Sequence, residues 1–438
     1  MGTFIPNTKE EQLNMLKDLG YKDFDDLFKD IPQKARLNKP LNLPKGKSEL
    51  EVYDALNSLA SKNHVFKKIF RGAGAYNHYV PATVNLMASK QEFLTAYTPY
   101  QAEISQGVLQ SIFEYQTMIC ELTGMDISNA SCYDGASAVA EAANMCKERK
   151  KSNIYISETV DKRIKSVVET YSFGRNAKVI SVPMKDGETD LDALNDLLAK
   201  DEAASCFIMQ YPNFYGIIEN ADKISNIVHE NGAKLVASVN PISLGILKTP
   251  GEFGADVVAG EGQPLGLGLC YGGPYLGILA TTDKNMRKIV GRVVGQTVDS
   301  TGERGFVLTL QAREQHIRRE KASSNICSNE ALCAFKAGVY LATLGPDGIK
   351  EVATLSTSKA RYLADEFNKI GLPLAYDKPF FNEFVTKVKN PEKLLSHLED
   401  NNILGGLQID DDKILWCTTE LNKKEDMDEL VVLAKEVI

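Results

Sequence analysis

The chain has 438 residues, 43% of them hydrophobic and 25% charged, and its formal net charge is −8. This length indicates two or three domains, and the composition is that of an ordinary globular protein. The acidic balance argues against a nucleic-acid surface and against a generic anionic membrane surface. No apolar run approaches the roughly 20 residues that span a bilayer, and the N-terminus has no signal-peptide pattern. The eight cysteines are scattered without a C-x-x-C pair, so we expect free thiols, no metal site and a cytoplasmic protein.

Residues 1–65 are polar and have helical periodicity, which a Pro/Lys/Asn-rich stretch at 31–47 interrupts. The pattern predicts a short amphipathic helix pair before that stretch and another helix after it. We interpret this zone as an N-terminal helical arm without a core of its own.

Between residues 66 and 330 the pattern changes to short β-rich runs that alternate with amphipathic helices. Such alternation predicts a large α/β domain with a mostly parallel sheet and helices on both faces. Ligands of such sheets bind beyond the carboxyl ends of the strands, so we expect a site in the loops after Gln210, Val239 and Gly260. The six predicted strands are 153–157, 178–183, 205–212, 234–239, 256–260 and 275–280.

Residues 331–438 begin within a long helical stretch and continue with a second one. Strand-like runs at 382–389 and 413–419 follow, separated by a helical stretch, and a final helix reaches Ile438. This order predicts a smaller C-terminal α+β domain.

A glycine-rich run at 260–277, GEGQPLGLGLCYGGPYLG, has seven glycines and no lysine. Glycine allows positive φ and close approach of a backbone or a ligand, so this density favours a site over a plain connector. Its polar candidates are Glu261, Gln263, Cys270, Tyr271 and Tyr275. The run has the features of a glycine-rich active-site loop that lacks a nucleophilic side chain.

Aromatic residues form a first candidate cluster in two segments with neither helical nor strand periodicity. Tyr76 and His78 lie in the first segment, and Tyr97, Tyr100 and Gln101 lie in the second. Tyrosine offers a flat apolar face with a polar tip, which suits a pocket for a planar or zwitterionic ligand. Packing aromatics on an irregular connector are an equally good interpretation, and a lone histidine is more often a structural residue than a general base.

The alanine-rich stretch 129–145 is a second candidate. Asn129, Ser131 or Asp134 can cap a helix there, and the small residues let its N-terminal N–H groups face an anion such as a phosphate. An inward Asp134 would oppose that anion. An ordinary capped helix is the alternative.

A basic stretch at 303–325 is the third candidate, with Arg313 and Arg318 at its centre. Glu314 and Arg318 are four residues apart, a spacing that predicts an ion pair along a helix. The stretch is either a solvated, salt-bridged face or a site where arginines bind a carboxylate, a phosphate or another subunit.

Together and in this order, the segments resemble the P-protein of the glycine cleavage system over nearly the whole chain. The most specific strings are YTPYQAEISQG at 97–107 and QAREQHIRREKASSNIC at 311–327. The length resembles that of the N-terminal subunit of the split, two-subunit form, since the single-chain form is about twice as long.

The resemblance implies a fold-type I pyridoxal-phosphate (PLP) architecture and glycine decarboxylation, with transfer of the aminomethyl group to the lipoyl arm of the H-protein. A PLP enzyme of this fold needs a lysine for the Schiff base and a carboxylate that keeps the pyridine nitrogen protonated. In this chain Gln263 stands at or near the lysine position. Ala237 and Ser238 stand in the strand where the aspartate is expected.

These departures imply a degenerate cofactor pocket, composed of Gln263, Ser131 and Asp134, that binds no PLP covalently. PLP is then carried by the C-terminal, lysine-bearing partner subunit, and no residue of this chain alone is catalytic. The side chains expected to line the shared glycine and lipoyl channel are Tyr97, Tyr100, Gln101, Tyr76 and His78, and those expected at the interface or on an anion are Arg313 and Arg318.

Two other hypotheses stay open at this point. One is a self-sufficient PLP enzyme, such as an aminotransferase or a desulfurase-like protein, that uses another lysine such as Lys248. The other is a scaffold that only binds the partner subunit and the H-protein.

Overall fold

The computed structural model describes residues 6–37, 39–95, 98–174, 177–322, 324 and 330–438. The chain divides into two compact units, one up to Val65 and one from Phe66 onward. The boundary predicted between residues 330 and 331 falls inside the second unit and stays a prediction.

The first unit contains three helices, α1 (Lys9–Asp18), α2 (Phe24–Leu27) and α3 (Glu49–Ala60). α1 and α3 each begin with a capping box, in which a Ser or Thr and the Glu three residues later bond to each other's backbone N–H. Such boxes satisfy N–H groups that have no partner within the helix. Leu16 is the one buried residue in the described part of this unit. Helix capping and local hydrogen bonds therefore stabilise the unit more than a hydrophobic core does.

The helices of the second unit are α4 (Ala82–Ala88), α5 (Gln91–Leu94), α6 (Gln106–Thr123), α7 (Gly135–Cys146), α8 (Lys162–Phe173), α9 (Leu191–Ala199), α10 (Ala221–Glu230), α11 (Gln315–Arg318), α12 (Ala331–Lys369), α13 (Pro391–Asp400) and α14 (Lys424–Lys435). Its strands are β1 (Lys68–Ile69), β2 (Ile127–Ser128), β3 (Asn153–Ser157), β4 (Val179–Val182), β5 (Met184–Lys185), β6 (Glu188–Thr189), β7 (Ala204–Tyr211), β8 (Lys234–Val239), β9 (Val257–Glu261), β10 (Gly277–Thr281), β11 (Val293–Val298), β12 (Arg304–Thr309), β13 (Glu383–Lys387), β14 (Ile403–Leu404), β15 (Leu407–Asp410) and β16 (Lys413–Cys417).

Seven strands form the central sheet in the order β2-β10-β9-β8-β7-β3-β4. Neighbours from β4 to β9 are parallel, and β10 runs antiparallel to both β9 and β2. The predicted α/β class with a mostly parallel sheet is confirmed, and each of the six predicted strands occurs. The antiparallel hairpin β11–β12 has no counterpart among the six predicted strands.

Both faces of the central sheet are buried. On β3 and β7, Tyr155 and Phe207 belong to one core cluster, whereas Ile154 and Ile208 belong to the cluster on the opposite face. This alternation follows from the two-residue period of a strand, and it explains why these strands are nearly continuous apolar runs.

The C-terminal region contains an antiparallel sheet of β13, β16 and β15. Trp416, Phe367 and Phe384 form its core with residues of α13 and α14. The two helical stretches predicted before it join as α12, which is broken at Gly345, where φ is 62° and ψ is −177°. No helix in the described ranges is long and apolar enough to cross a bilayer.

The loop after β7 meets β13 at a point where only a glycine fits. Gly216 has φ +83°, and a Cβ added there would lie 1.9 Å from the backbone oxygen of Glu383. The Glu383 side chain in turn accepts hydrogen bonds from the Ala73 N–H at 2.6 Å and the Tyr76 hydroxyl at 2.7 Å. Glu383 therefore joins the segment after β1 to the C-terminal sheet.

We expect Gly216→Ala to lower the free energy of unfolding by about 3 kcal/mol, because positive φ and a backbone clash both oppose the added Cβ. Gly302→Ala is the matched control: Gly302 has φ +87° with nothing within 4 Å of an added Cβ. It should cost about 1 kcal/mol, which is the conformational part alone. Urea unfolding of both variants measures the difference, and equal losses would contradict the steric argument.

Glu383 should make stability depend on pH. Burial raises the pKa of Glu383 to about 7. Hydrogen bonds from Ala73 and Tyr76 and the charge of Arg163 lower this pKa, whereas the charge of Asp161 raises it. The pKa of Glu383 is higher in the folded protein than in the unfolded chain. The contribution of its protonated carboxyl to the free energy of unfolding is therefore complete below about pH 4.5 and is lost as pH rises through 7.

The variant Glu383→Gln keeps the neutral form at every pH. The free energy of unfolding of this variant minus that of the original chain should therefore rise by up to about 3 kcal/mol between pH 5 and pH 8. Urea unfolding at several pH values measures this difference, and a difference that does not change with pH would contradict the assignment.

Candidate functional site

Gln263, two residues beyond β9, is held by hydrogen bonds to backbone groups. Its side-chain Nε2 donates to the Tyr76 carbonyl at 2.9 Å and to the Leu267 carbonyl at 2.8 Å, and its Oε1 accepts from the Tyr76 N–H at 2.8 Å. The residue is 1% exposed. Both donor hydrogens of the amide are therefore used within the protein.

Glu261 ends β9 and places its carboxylate at the N-terminus of α7. Its Oε2 accepts from the N–H of Gly135, the first residue of that helix, at 2.9 Å. Its Oε1 accepts from the N–H groups of Gln263 at 2.9 Å and Leu276 at 3.1 Å. Burial raises the pKa of Glu261 to about 7, and the three backbone bonds lower it. The chain's own carboxyl thus lies where the sequence predicted an external anion.

Asp134 is the N-cap of α7, as the pattern allowed. Its Oδ1 accepts from the Ser137 N–H at 2.7 Å. Ser131 is buried just before this turn, and its carbonyl accepts from the side chain of Asn129 at 3.1 Å. Side chains of this chain therefore satisfy two N–H groups of the first helical turn. We call Gln263, Glu261, Asp134 and the first turn of α7 the closed pocket.

The closed pocket does not fit PLP. Gln263 has no amine for a Schiff base. Glu261 already takes the Gly135 N–H that a phosphate would need, and in its ionised form it would repel that phosphate. Ala237 and Ser238, buried in β8, offer no carboxylate to a pyridine nitrogen. Lys248 lies in an exposed ion pair with Asp222, with 2.6 Å between Nζ and Oδ1. In the part of the chain that the structure describes, no group of three or more His, Cys, Asp or Glu is placed to hold a metal.

Tyr76 and His78 are buried beside the closed pocket. The backbone of Tyr76 binds Gln263, while its hydroxyl donates to Glu383. His78 Nδ1 lies 2.7 Å from Glu420 Oε2, and His78 Nε2 is buried with no partner among the described residues. The geometry gives both residues structural contacts within the subunit.

Tyr100 lies next to the cationic side chain of Arg292, a residue outside the three candidate clusters. The Arg292 guanidinium is 5.5 Å from the centre of the Tyr100 ring, a cation–π distance. Arg292 also forms an ion pair with Glu314. Gln101 is exposed in the turn before α6, and Tyr97 lies outside the described residues.

The ion pair predicted between Glu314 and Arg318 is wrong. α11 begins only at Gln315, after Glu314, and the Glu314 carboxylate pairs with Arg292 instead. Arg318 is exposed, and its Nε donates to the Ala312 carbonyl at 3.1 Å. Arg313 is partly buried, and its Nη2 donates to the Gly291 carbonyl at 2.6 Å. A four-residue spacing predicts a pair only where the helix spans both residues.

The candidate clusters are connected in space. Tyr76 contacts Gln263, which is bonded to Glu261 and so to α7. On the other side, the Ala130 N–H just before α7 donates to the Arg292 carbonyl at 2.8 Å. Segments that are far apart in sequence therefore form one region around the carboxyl end of β9 and the start of α7.

Comparisons with known proteins agree over the whole chain. A family model described as "Glycine cleavage system P-protein" matches residues 2–433. The "Probable glycine dehydrogenase (decarboxylating) subunit 1" of Carboxydothermus hydrogenoformans is 50% identical over 437 residues, covering 98% of each chain. The protein with the same description from Bacillus cereus strain B4264 is 48% identical over 438 residues, again with 98% of each chain covered.

One solved structure gives the same result, and a more distant one shares the fold. The crystal structure of "glycine decarboxylase (P-protein) of the glycine cleavage system, in inhibitor-bound form" is 40% identical, with a TM-score of 0.93 and complete coverage of both chains. A more distant structure, "C-DES Mutant K223A with GLY Covalenty Linked to the PLP-cofactor", is 14% identical with a TM-score of 0.63 and shares the PLP-dependent type I fold; it covers 87% of this chain and 98% of its own. Because the family model, the full-length relatives and the 40%-identical structure agree, the chain belongs to the glycine cleavage system P-protein family.

Proposed function

We propose that this chain is the subunit of glycine decarboxylase that carries no PLP and that it completes the active site of a lysine-bearing partner subunit. PLP on that partner supports decarboxylation of glycine, and the aminomethyl group then passes to the lipoyl arm of the H-protein. The single observation that carries this proposal is Gln263, which is buried in the glycine-rich run, at or near the place where the resemblance implies a lysine, with its amide bonded to backbone groups. The cytoplasm is the proposed compartment, in agreement with seven described cysteines that are free thiols.

The closed pocket supports the proposal that the partner subunit, and not this chain, binds the cofactor. Admitting a cofactor would leave the amide of Gln263 or the backbone of Tyr76 without its partner, and an unpaired buried polar group costs about 1–3 kcal/mol. It would also place a phosphate against Glu261. A partner with its own lysine avoids both costs.

We place the contribution to the shared site on the loop before α6. The sequence before α6 contains Tyr97, Tyr100 and Gln101; of the two that the structure describes, Gln101 is exposed and Tyr100 is partly exposed. Tyr76 and His78 are buried residues that border the channel from inside the subunit. Arg313 and Arg318 are proposed to contact the interface or an anion, since arginine binds carboxylates and phosphates in a bidentate manner.

Treatment of the purified chain with PLP and borohydride should leave no stoichiometric pyridoxyl-lysine, because Gln263 cannot form a Schiff base. Intact mass and peptide mapping measure the adduct. The variant Lys248→Gln is the control for the self-sufficient alternative. If the original chain carried one adduct per molecule and Lys248→Gln carried none, the chain would be a PLP enzyme in its own right and our proposal would be wrong.

Reconstitution with the partner subunit and lipoylated H-protein tests the shared site. In glycine–bicarbonate exchange, Tyr100→Phe should lower kcat/KM at least about tenfold, equivalent to about 1.4 kcal/mol of transition-state stabilisation. Tyr362→Phe is the control, because its hydroxyl bonds Asp428, far along the chain from this region. Light scattering checks that assembly persists. Unchanged exchange in Tyr97→Phe, Tyr100→Phe and Gln101→Ala complexes would favour the scaffold hypothesis.

A further inference from the structure

A cavity of about 300 Å³ lies at the far end of α7 from the closed pocket. Six of its lining residues are cationic, in a chain whose net charge is −8. Glu141 on α7 also lines it, and the helical rise of about 1.5 Å per residue places Glu141 about 9 Å along the axis from Gly135. The cavity and the closed pocket are therefore separate sites. Its cationic residues are Lys147, Arg287, Lys288, Arg313, Arg318 and Lys321.

The described carboxylates do not neutralise this cavity. Among the described lining residues, Glu141 is the one with a carboxylate. It is 3% exposed and accepts a hydrogen bond from the Ser324 hydroxyl at 2.7 Å. Nearby, Glu148 lies 3.7 Å from the Nζ of Lys288. Glu314 is engaged with Arg292. An excess of positive charge therefore faces the cavity, and a concave surface concentrates such a field.

Two buried donors in the cavity wall have no acceptor within the part of the chain that the structure describes. The Nε of Arg313 and the Nδ2 of Asn144 have no hydrogen-bond partner among the described residues. Both residues line the cavity. Because an unsatisfied buried donor is costly, the wall is suited to a ligand that brings oxygen acceptors.

We propose that this cavity binds a phosphate group, either free or as the monoester of a small molecule. A phosphate offers several oxygens and a charge near −2, which suit arginine forks and lysine point charges together. The inference extends the anion contact proposed for Arg313 and Arg318. It does not depend on glycine decarboxylation, because no residue of the closed pocket lines the cavity.

Isothermal titration calorimetry of the full chain with inorganic phosphate, at constant ionic strength, tests the proposal. Arg287→Gln should weaken binding at least about fivefold, and Arg287→Gln/Lys321→Gln should weaken it further, since each change removes a lining charge. Lys284→Gln is the matched control: it lies in the same short 3₁₀ helix, Asp283–Lys288, is exposed and does not line the cavity. It should stay within twofold of the original chain.

A second titration with glycerol 3-phosphate distinguishes the two sources of the phosphate. Tighter binding of the ester indicates a phosphorylated small molecule, and equal binding indicates recognition of the phosphate group alone. The proposal is wrong if neither probe binds at millimolar concentration. It is also wrong if Lys284→Gln weakens binding as much as Arg287→Gln, because the effect would then be diffuse surface charge. Circular dichroism of each variant confirms that the fold persists.

Discussion

The hydrogen bonds between the Gln263 amide and the backbone of Tyr76 are the interaction on which the rest of this site depends. They join the glycine-rich run after β9 to the segment after β1, and Gln263 bonds Leu267 within the same run. An amide can donate and accept at once, whereas a lysine ammonium only donates. Gln263 therefore offers no amine for a Schiff base, and its side chain closes the pocket with its own hydrogen bonds.

The closure extends from Gln263 in two directions. Toward α7, Glu261 and Asp134 satisfy N–H groups of the first helical turn, so the positive end of the helix dipole is compensated from within. Toward the C-terminal sheet, the Tyr76 hydroxyl reaches Glu383, whose backbone leaves no room for a side chain at position 216. The pocket region therefore also holds distant parts of the second unit together. The other end of α7 differs, because among its described neighbours the cationic side chains outnumber the carboxylates.

Much of the fold could be predicted from local patterns. Six of the seven strands of the central sheet follow from strand periodicity, and Asp134 was one of three residues that the pattern offered as the N-cap of α7. The hairpin β11–β12 was not predicted. β12 lies within the charged stretch 303–325, where the four-residue spacing of Glu314 and Arg318 was interpreted as helical. Arg292 was also missed. Its partners, Tyr100 and Glu314, lie 192 residues before it and 22 residues after it, and only the fold brings them together.

The sequence by itself determined the α/β class, the family resemblance and the absence of a lysine at position 263, because these depend on residue type and order. Only the tertiary structure decided which groups contact Gln263 and the N-terminus of α7. The contacts of Gln263 with Tyr76 and of Glu261 with Gly135 join residues 187 and 126 positions apart. No local pattern encodes such partners, since they depend on how the glycine-rich run packs against α7 and the segment after β1.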